Sequence, residues 1–227
     1  MIDGSGGASR RGHVHLNLGM ILQASAIDRA EHPAIRWGER TVTYRELDRA
    51  ARGVATALRE RGLAPGEKVA ILIPNLPEFS IAYFGILYAG CTVVPLNVLL
   101  SASEVAYHLK DSDSRLFVAH PFFGDPARAG AAEAGVPLVW TGGEEGELLT
   151  TMAEAEPART LHPTSAADTA VVLYTSGTTG KPKGAELTHA NLLINGAVVV
   201  PRLIPIGRDD VALGALPLFH SFGQTCV

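Results

Sequence analysis

The sequence has few cysteines and no cluster of basic residues. Only two of its 227 residues are cysteine, and charged residues make up 19%. Cys91 and Cys226 fit neither the paired spacing of a zinc site nor a disulfide framework, which favours a reducing, cytoplasmic compartment. The net charge is −4, whereas binding to a nucleic-acid backbone requires clustered lysine and arginine. Nucleic acid is therefore not an expected partner, and the apolar run around Cys91 predicts a small core residue there.

Charge is also absent from residues 79–103, a stretch long enough to suggest a membrane span. Turn formers interrupt this stretch at Gly85, Gly90, Pro95 and Asn97. A buried helix followed by a short buried strand has the same hydropathy. We therefore expect no transmembrane segment.

The N-terminal region only weakly imitates a secretion signal, because polar side chains interrupt its apolar stretch. Four apolar residues instead fall at helical spacing, namely Leu18, Ile21, Leu22 and Ala26. This spacing predicts an amphipathic first helix. Residues 1–15 are expected to form a flexible leader ahead of it.

Short apolar runs then alternate with segments of helical spacing. Buried strands are expected at residues 68–73, 92–96, 115–119, 136–140 and 170–174, after two short strands around a Gly38–Glu39 turn. Helices are expected at residues 43–62, 78–89, 101–110 and 127–134. Residues 142–168 are expected to form an irregular surface connection. A further strand is expected near residues 211–216.

Two of these helices begin with a capping box, formed by Thr43 with Glu46 and by Ser101 with Glu104. Strands that alternate with helices and are apolar throughout are typical of a mostly parallel sheet that helices cover on both faces. The predicted fold class is therefore α/β.

The most unusual stretch is residues 175–184, TSGTTGKPKG, directly after the last of these buried strands. Its three glycines allow positive φ and a bare backbone, so that successive N–H groups can point into one concavity. Four hydroxyl side chains and Lys183 add donors and a positive charge, and Pro182 stiffens the turn. Ligands of open α/β sheets bind at the carboxyl ends of the strands. The stretch therefore predicts a polyphosphate site, followed by a helix that Thr188 caps.

This loop differs from the Walker-type phosphate loop. Only two residues separate Gly177 from the Gly180–Lys181 pair, where the Walker pattern requires four. The alternative to a phosphate site is a glycine-rich connector with solvated lysines. The density of hydroxyl groups and the position after a strand favour the phosphate site.

The stretch YTSGTTGKPKG closely resembles the phosphate-loop signature of the adenylate-forming, or AMP-binding, superfamily of acyl-CoA synthetases, luciferases and peptide-synthetase adenylation domains. Three further stretches agree with this resemblance: TVTYRELDRAARGVATAL, LYAGCTVVPLN and LPLFHSFG. The last of these is most similar to fatty acyl-CoA synthetases and luciferases. The resemblance begins near Leu16 and implies that residues 16–227 form part of the N-terminal AMP-binding domain.

An ATP-dependent acid–thiol ligase of the fatty acid–CoA ligase type is the activity that the resemblance implies. In this family a carboxylate attacks the α-phosphate of Mg-ATP, pyrophosphate leaves, and the thiol of CoA then takes the acyl group. ATP, a carboxylic acid and CoA are the implied small-molecule partners. Mg²⁺ is the implied metal, although no residue here is a certain metal ligand. The alternatives are an aryl- or amino-acid-activating relative and a non-catalytic phosphate-binding relic.

The resemblance also implies roles for individual residues. The β- and γ-phosphates and the departing pyrophosphate would be held by Lys183 together with Thr175, Ser176, Gly177, Thr178, Thr179 and Gly180. Lys181 fills the variable position of the signature and is ranked below Lys183. His220 would orient or neutralise the reacting carboxylate, so that His220 and Lys183 are the catalytic candidates.

Two further residues of the LPLFHSFG region are candidates for the acyl pocket. Phe222 and Gln224 would line it together with His220. The alternative for His220 is a loop histidine bonded to a backbone carbonyl. The alternative for the other two residues is ordinary core packing.

Several later motifs of the family have no counterpart in the sequence. These are the glutamate that helps to hold Mg²⁺, the ribose-binding aspartate, the hinge, and the mobile C-terminal domain with its catalytic lysine. The isolated chain is therefore expected to be inactive. It is also expected to aggregate or self-associate, because a sheet that ends after the strand near residues 211–216 would leave apolar surface and an unpaired edge uncovered.

Overall fold

The computed structural model describes residues 15–143, 148–175, 181–205 and 207–226. Its strands are β1 Pro33–Trp37, β2 Arg40–Thr43, β3 Lys68–Leu72, β4 Thr92–Pro95, β5 Ser114–Ala119, β6 Leu138–Trp140, β7 Thr169–Thr175 and β8 Lys183–Thr188. Strands β1 and β2 form a separate antiparallel pair. The other six form one sheet in the order β6-β5-β3-β4-β7-β8, in which only β8 is antiparallel to its neighbour. The predicted mostly parallel sheet is confirmed.

Helices connect the parallel strands. They are α1 Met20–Asp28, α2 Tyr44–Glu60, α3 Pro77–Ala89, α4 Ala102–Asp111, α5 Gly124–Ala134, α6 Leu149–Glu154, α7 His189–Ile194, α8 Val200–Leu203 and α9 Ser221–Cys226. A 3₁₀ turn at Pro121–Phe123 and a π-helical turn at Asn195–Val199 complete the elements. Among the helices in the described ranges, none is long and apolar enough to cross a membrane.

The sheet has a hydrophobic core on each face. Val69 and Ile71 of β3 pack into the core that contains α2, α3 and α6. Their neighbours Ala70 and Leu72 pack into the opposite core, with α4 and α5. This division follows from the strand geometry, since successive side chains point to opposite faces. Continuous apolar strands are buried on both sides, which confirms the predicted fold class.

The predicted capping boxes are present at both helix starts. At α2, the backbone N–H of Glu46 donates to the Thr43 hydroxyl, and the Thr43 N–H donates to the Glu46 carboxylate. Ser101 and Glu104 form the same reciprocal arrangement at α4. Cys91 is fully buried, as predicted for a core residue.

Two sequence-based expectations in the first half of the fold need correction. The first helix buries only Leu22, while Ile21 is 40% exposed. Leu18 is buried but lies in the turn before the helix, because α1 starts at Met20. The segment expected to be irregular contains α6, which buries Leu149 and Met152. A helix of six residues is too short to leave a periodic pattern in the sequence.

The strand expected near residues 211–216 is wrong. That segment has no strand structure in the described chain, and Leu213 is 88% exposed. Apolar residues form a strand only where a neighbouring strand accepts their hydrogen bonds. The unpaired edge expected at this segment is therefore absent, but its apolar side chains such as Leu213 are exposed, and the expected self-association stays a prediction. Residues 1–14 of the expected leader lie outside the described residues, whereas His15 forms a β-bridge with Ser165.

Candidate active site

Strand β7 carries the start of the candidate phosphate loop to the carboxyl edge of the sheet. Its last residue, Thr175, pairs with Lys183, the first residue of β8. The residues after the loop therefore return as a hairpin strand, and the helix that was expected to follow begins at His189. The predicted cap of that helix is confirmed, because the Asn191 N–H donates to the Thr188 hydroxyl at 3.1 Å.

The described residues include both ends of the loop. Thr175, Lys181 and Lys183 are exposed, and Pro182 is half-buried. Within the described chain neither lysine forms an ion pair, so their positive charges are available to a ligand. The other predicted phosphate-binding residues lie outside the described residues: Ser176, Gly177, Thr178, Thr179 and Gly180.

Asn75 fastens the predicted acyl-pocket segment to the same edge of the sheet. It lies just beyond the carboxyl end of β3, and its amide nitrogen donates to the carbonyl oxygens of Gly214 and Leu216 at 2.9 and 2.8 Å. Its amide oxygen accepts from the Leu218 N–H at 3.0 Å. Strands β3 and β7 run parallel with only β4 between them. The pocket segment and the loop ends are therefore brought to one edge.

This edge is also where the connections of the sheet reverse direction. From β3 the chain continues to β4, which lies on one side of β3. It then returns to β5, which lies on the other side of β3. Such a reversal leaves a crevice between the carboxyl ends of β3 and β5, a usual ligand position in open α/β sheets, and Asn75 follows β3 on this edge. Sequence analysis did not identify Asn75, since a single asparagine after a strand has no distinctive pattern.

His220 lies just ahead of the short helix α9. Its side chain is exposed, and its Nδ1 accepts a hydrogen bond from the Phe222 N–H at 3.3 Å. Because Nδ1 accepts there, the alternative of a histidine donating from this nitrogen to a backbone carbonyl is not what the structure shows. Phe222 itself is 59% exposed. Ordinary core packing is therefore excluded for Phe222 in the described chain.

Gln224 contacts a residue that sequence analysis missed. The hydroxyl of Tyr83, on α3, donates to Gln224 Oε1 at 3.2 Å. Burial raises the pKa of Tyr83, which keeps the phenol protonated and able to donate. The Gln224 Nε2 atom is buried and has no hydrogen-bond partner in the described chain. A buried donor of this kind can bind an acceptor atom of a ligand.

The site contains no preformed metal centre in the part of the chain that is described. No group of three or more His, Cys, Asp or Glu side chains there could hold a metal ion. The chemistry that the described residues offer is therefore cationic and hydrogen-bonding, from Lys181, Lys183 and the hydroxyl of Thr175.

Comparisons with known proteins identify the family of the chain. The family model described as "AMP-binding enzyme" matches residues 22–227. Feruloyl-CoA synthase of an Amycolatopsis species is 37% identical over 86% of this chain, and the long-chain-fatty-acid–CoA ligase FadD13 of Mycobacterium tuberculosis is 34% identical over 82%. The crystal structure of ATP-bound MatB from Rhodopseudomonas palustris superposes with a TM-score of 0.80, at 33% identity over 94% of this chain.

The chain spans only part of each of these proteins. It covers 38% of feruloyl-CoA synthase, 37% of FadD13 and 42% of the MatB chain. The family model nevertheless matches nearly all of the sequence, including both ends of the loop and the His220 segment. The chain therefore belongs to the AMP-binding enzyme family.

Proposed function

We propose that this chain is the N-terminal part of an ATP-dependent acyl-CoA synthetase. Residues 16–227 would form a partial N-terminal AMP-binding domain. The observation that carries the proposal is the meeting of two segments at the carboxyl edge of the sheet. One contains the paired Thr175 and Lys183, and the other is the segment before His220, which Asn75 holds.

The proposed reaction has two steps. An oxygen of the carboxylate attacks the α-phosphorus of ATP, the bond to the bridging oxygen breaks, and pyrophosphate leaves. The thiol sulfur of CoA then attacks the acyl carbon, and AMP leaves. The first step brings anions together, so stabilisation of phosphate oxygens is its main requirement.

Each site residue has a role in this scheme. Lys183 and the loop residues from Thr175 to Gly180 would hold the β- and γ-phosphates and the departing pyrophosphate. His220 would orient the carboxylate, and its exposed ring is free to do so. Mg²⁺ would arrive bound to ATP, which neutralises part of the phosphate charge. The cytoplasm is the proposed location, in keeping with the free thiol of Cys91.

The acid is proposed to be a fatty acid, with an aryl acid as the second candidate. The motif PLFHSFG and the similarity to FadD13 support a fatty acid as the substrate. The similarity to feruloyl-CoA synthase supports an aryl acid. The unpartnered Gln224 Nε2 also favours the second candidate, because an aryl acid that carries an oxygen substituent offers an acceptor and a hydrocarbon chain does not.

Pyrophosphate release with a panel of acids tests the proposal. The panel contains saturated fatty acids, cinnamate and its hydroxylated forms. It is run on the isolated chain and on a hybrid ligase, in which this chain is joined to the C-terminal remainder of the Amycolatopsis feruloyl-CoA synthase. We expect release by the hybrid and none by the isolated chain. A hybrid that melts cooperatively, binds ATP and activates no acid would support the non-catalytic relic instead.

A further inference from the structure

Helix α4 contacts both ends of the candidate phosphate loop through hydrogen bonds. The Tyr174 hydroxyl, one residue before the end of β7, donates to Asp111 Oδ2 at 2.7 Å. The Tyr107 hydroxyl donates to the carbonyl oxygen of Pro182 at 2.9 Å, one residue before β8. One turn of α4 therefore connects to the chain on either side of the loop.

Asp111 is the common member of these contacts. Its Oδ1 atom lies 3.4 Å from the Tyr107 hydroxyl, while its Oδ2 accepts from Tyr174. A phenol has one proton to donate, and the shorter contact assigns the Tyr107 proton to Pro182. The carboxylate thus bonds directly to Tyr174 and lies beside Tyr107. We call Tyr107, Asp111, Tyr174 and Pro182 the α4 clamp.

Ring packing holds the clamp in place. The buried ring of His108 lies against the Tyr174 ring at a centroid distance of 4.3 Å and against the Tyr107 ring at 5.6 Å, both edge to face. His108 Nδ1 lies 2.6 Å from the carbonyl oxygen of Glu104. Since a carbonyl only accepts, this nitrogen carries the proton, which fixes the orientation of the ring.

The chemistry of the clamp keeps its phenols protonated. Burial, followed by the hydrogen bond and the charge of Asp111, raises the pKa of Tyr174. Both phenols therefore remain donors at neutral pH. The clamp contributes no positive charge to a ligand, and the Asp111 carboxylate repels a phosphate. The clamp can therefore favour phosphate binding only through the geometry of Thr175 and Lys183.

We propose that the α4 clamp positions the two ends of the phosphate loop, and that Tyr107 and Asp111 are positioning residues for polyphosphate binding. The proposal rests on the proposed function of the loop. Fixing Pro182 and Tyr174 to one helix turn sets the separation of the loop ends before the ligand arrives. Loop ends that are restrained in this way lose less conformational entropy on binding.

The test uses inorganic tripolyphosphate as the probe and the 227-residue chain as the protein. Its affinity is measured by calorimetry for the wild type, Tyr107→Phe, Asp111→Asn and Lys183→Ala. Tyr88→Phe is the matched control, because the Tyr88 hydroxyl donates to Asp48 at 2.6 Å within the opposite core. A melting curve is recorded for each variant, and hydrogen exchange is followed in residues 169–188.

We expect Tyr107→Phe to weaken tripolyphosphate binding about two- to tenfold, the range of one net hydrogen bond. Asp111→Asn should weaken it less, because this change also removes a negative charge that repels the ligand. Exchange at both ends of the hairpin should become faster. Tyr88→Phe should lower the melting temperature and leave the affinity unchanged. This contrast separates positioning from general stability.

Other outcomes would overturn the proposal in distinguishable ways. If Lys183→Ala abolishes binding while the two clamp variants bind as the wild type does, the loop is a phosphate site and the clamp does not position it. If the affinity of all variants follows their melting temperatures, the clamp is only structural. If the folded wild type does not bind tripolyphosphate at all, both the clamp and the proposed role of the loop fail.

Discussion

Thr175 and Lys183 are the last cross-strand pair of the β7–β8 ladder. Directly opposed residues of an antiparallel pair present their side chains on one face. The hydroxyl and the ammonium group therefore leave the sheet together, and the connection between them begins and ends at a fixed distance. This pairing gives Lys183 a defined position that Lys181, within the connection, does not have.

The first prediction concerns Lys183→Ala in the hybrid ligase. A charge-assisted contact to phosphate contributes roughly 1.5–3 kcal/mol, so the rate of adenylation should fall by about ten- to a hundredfold or more. The thioester step, started from pre-formed acyl-adenylate, should change far less because pyrophosphate has already left. Single-turnover measurements of each half-reaction test this expectation.

Lys181→Ala is the matched control, since it removes the same charge two residues away. It should slow adenylation less than Lys183→Ala does. Equal losses in both half-reactions would mean that the loop supports the fold and not the phosphate. No loss in either half-reaction would mean that residues 175–184 are a solvated connector that does not bind phosphate.

The local elements of the fold were predictable, whereas elements that depend on distant partners were not. The capping boxes of α2 and α4 lie within four residues of sequence, and the structure contains both. Strand β8 exists because β7 lies beside it, and nothing in KGAELT distinguishes an edge strand from the start of a helix. Likewise, the apolar residues near 211–216 form no strand in the described chain, because no neighbouring strand pairs with them.

The candidate site shows the same division. The position of the phosphate loop after β7 was predictable, because the glycines, hydroxyl residues and lysines that mark it are close together in the sequence. The residues that support it were missed: Asn75, Tyr83, Tyr107 and Asp111. Each acts through a contact with a residue at least 63 positions away, apart from the short contact between Tyr107 and Asp111 themselves. Their partners become visible only in the folded chain.

The second prediction concerns the stability effect of substituting Gly53, a residue whose importance the sequence pattern did not indicate. Gly53 lies inside α2, where alanine normally stabilises a helix by about 1 kcal/mol. A methyl group at this position would meet the backbone of Ala153, with the carbonyl carbon only 2.8 Å away. Gly53→Ala should therefore destabilise the chain, because α6 must move away from α2. Urea unfolding at neutral pH measures the effect.

The control for this substitution is Gly124→Ala at the start of α5, where an added methyl group meets no atom. It should be neutral or slightly stabilising. Were Gly53→Ala to stabilise the chain as much as Gly124→Ala, the close packing of α2 on α6 would be wrong.

The third prediction separates the two functions of Asn75. Asn75→Ala removes the donor to Gly214 and Leu216 and also the acceptor for the Leu218 N–H. Asn75→Asp keeps an acceptor but replaces the donor with an oxygen that the two carbonyl oxygens repel. Amide exchange at Leu218, measured by NMR, should become faster in both variants, and more so in Asn75→Ala, which has no acceptor for this N–H. Equally slow exchange in both variants would show that Asn75 does not hold the acyl-pocket segment.

The last prediction concerns acid stability and His189. This side chain is almost fully buried, and its Nδ1 accepts the Leu18 N–H at 2.9 Å. Burial lowers the pKa of His189 below its ordinary 6.5, although the charge of Asp168 opposes the shift. The unfolded chain therefore binds a proton more readily than the folded chain does. The stabilisation by neutral His189 is complete above about pH 6.5 and is lost as the pH falls towards the folded-state pKa.

For one such group the free energy of unfolding can fall by at most about 1.4 kcal/mol per pH unit. His189→Asn tests the contribution, because the amide oxygen of asparagine can accept from Leu18 in place of Nδ1 and does not titrate. We expect the variant to be less stable at pH 7.5, since it fills less of the buried site, but to lose less stability between about pH 6.5 and pH 5. Urea unfolding across that range measures both slopes. Other histidines such as His162, whose pKa burial also lowers, contribute equally to both proteins and cancel in the difference. Parallel slopes would mean that protonation of His189 is not linked to unfolding, and that its ring nitrogen does not act as the acceptor that joins the N-terminal segment to α7.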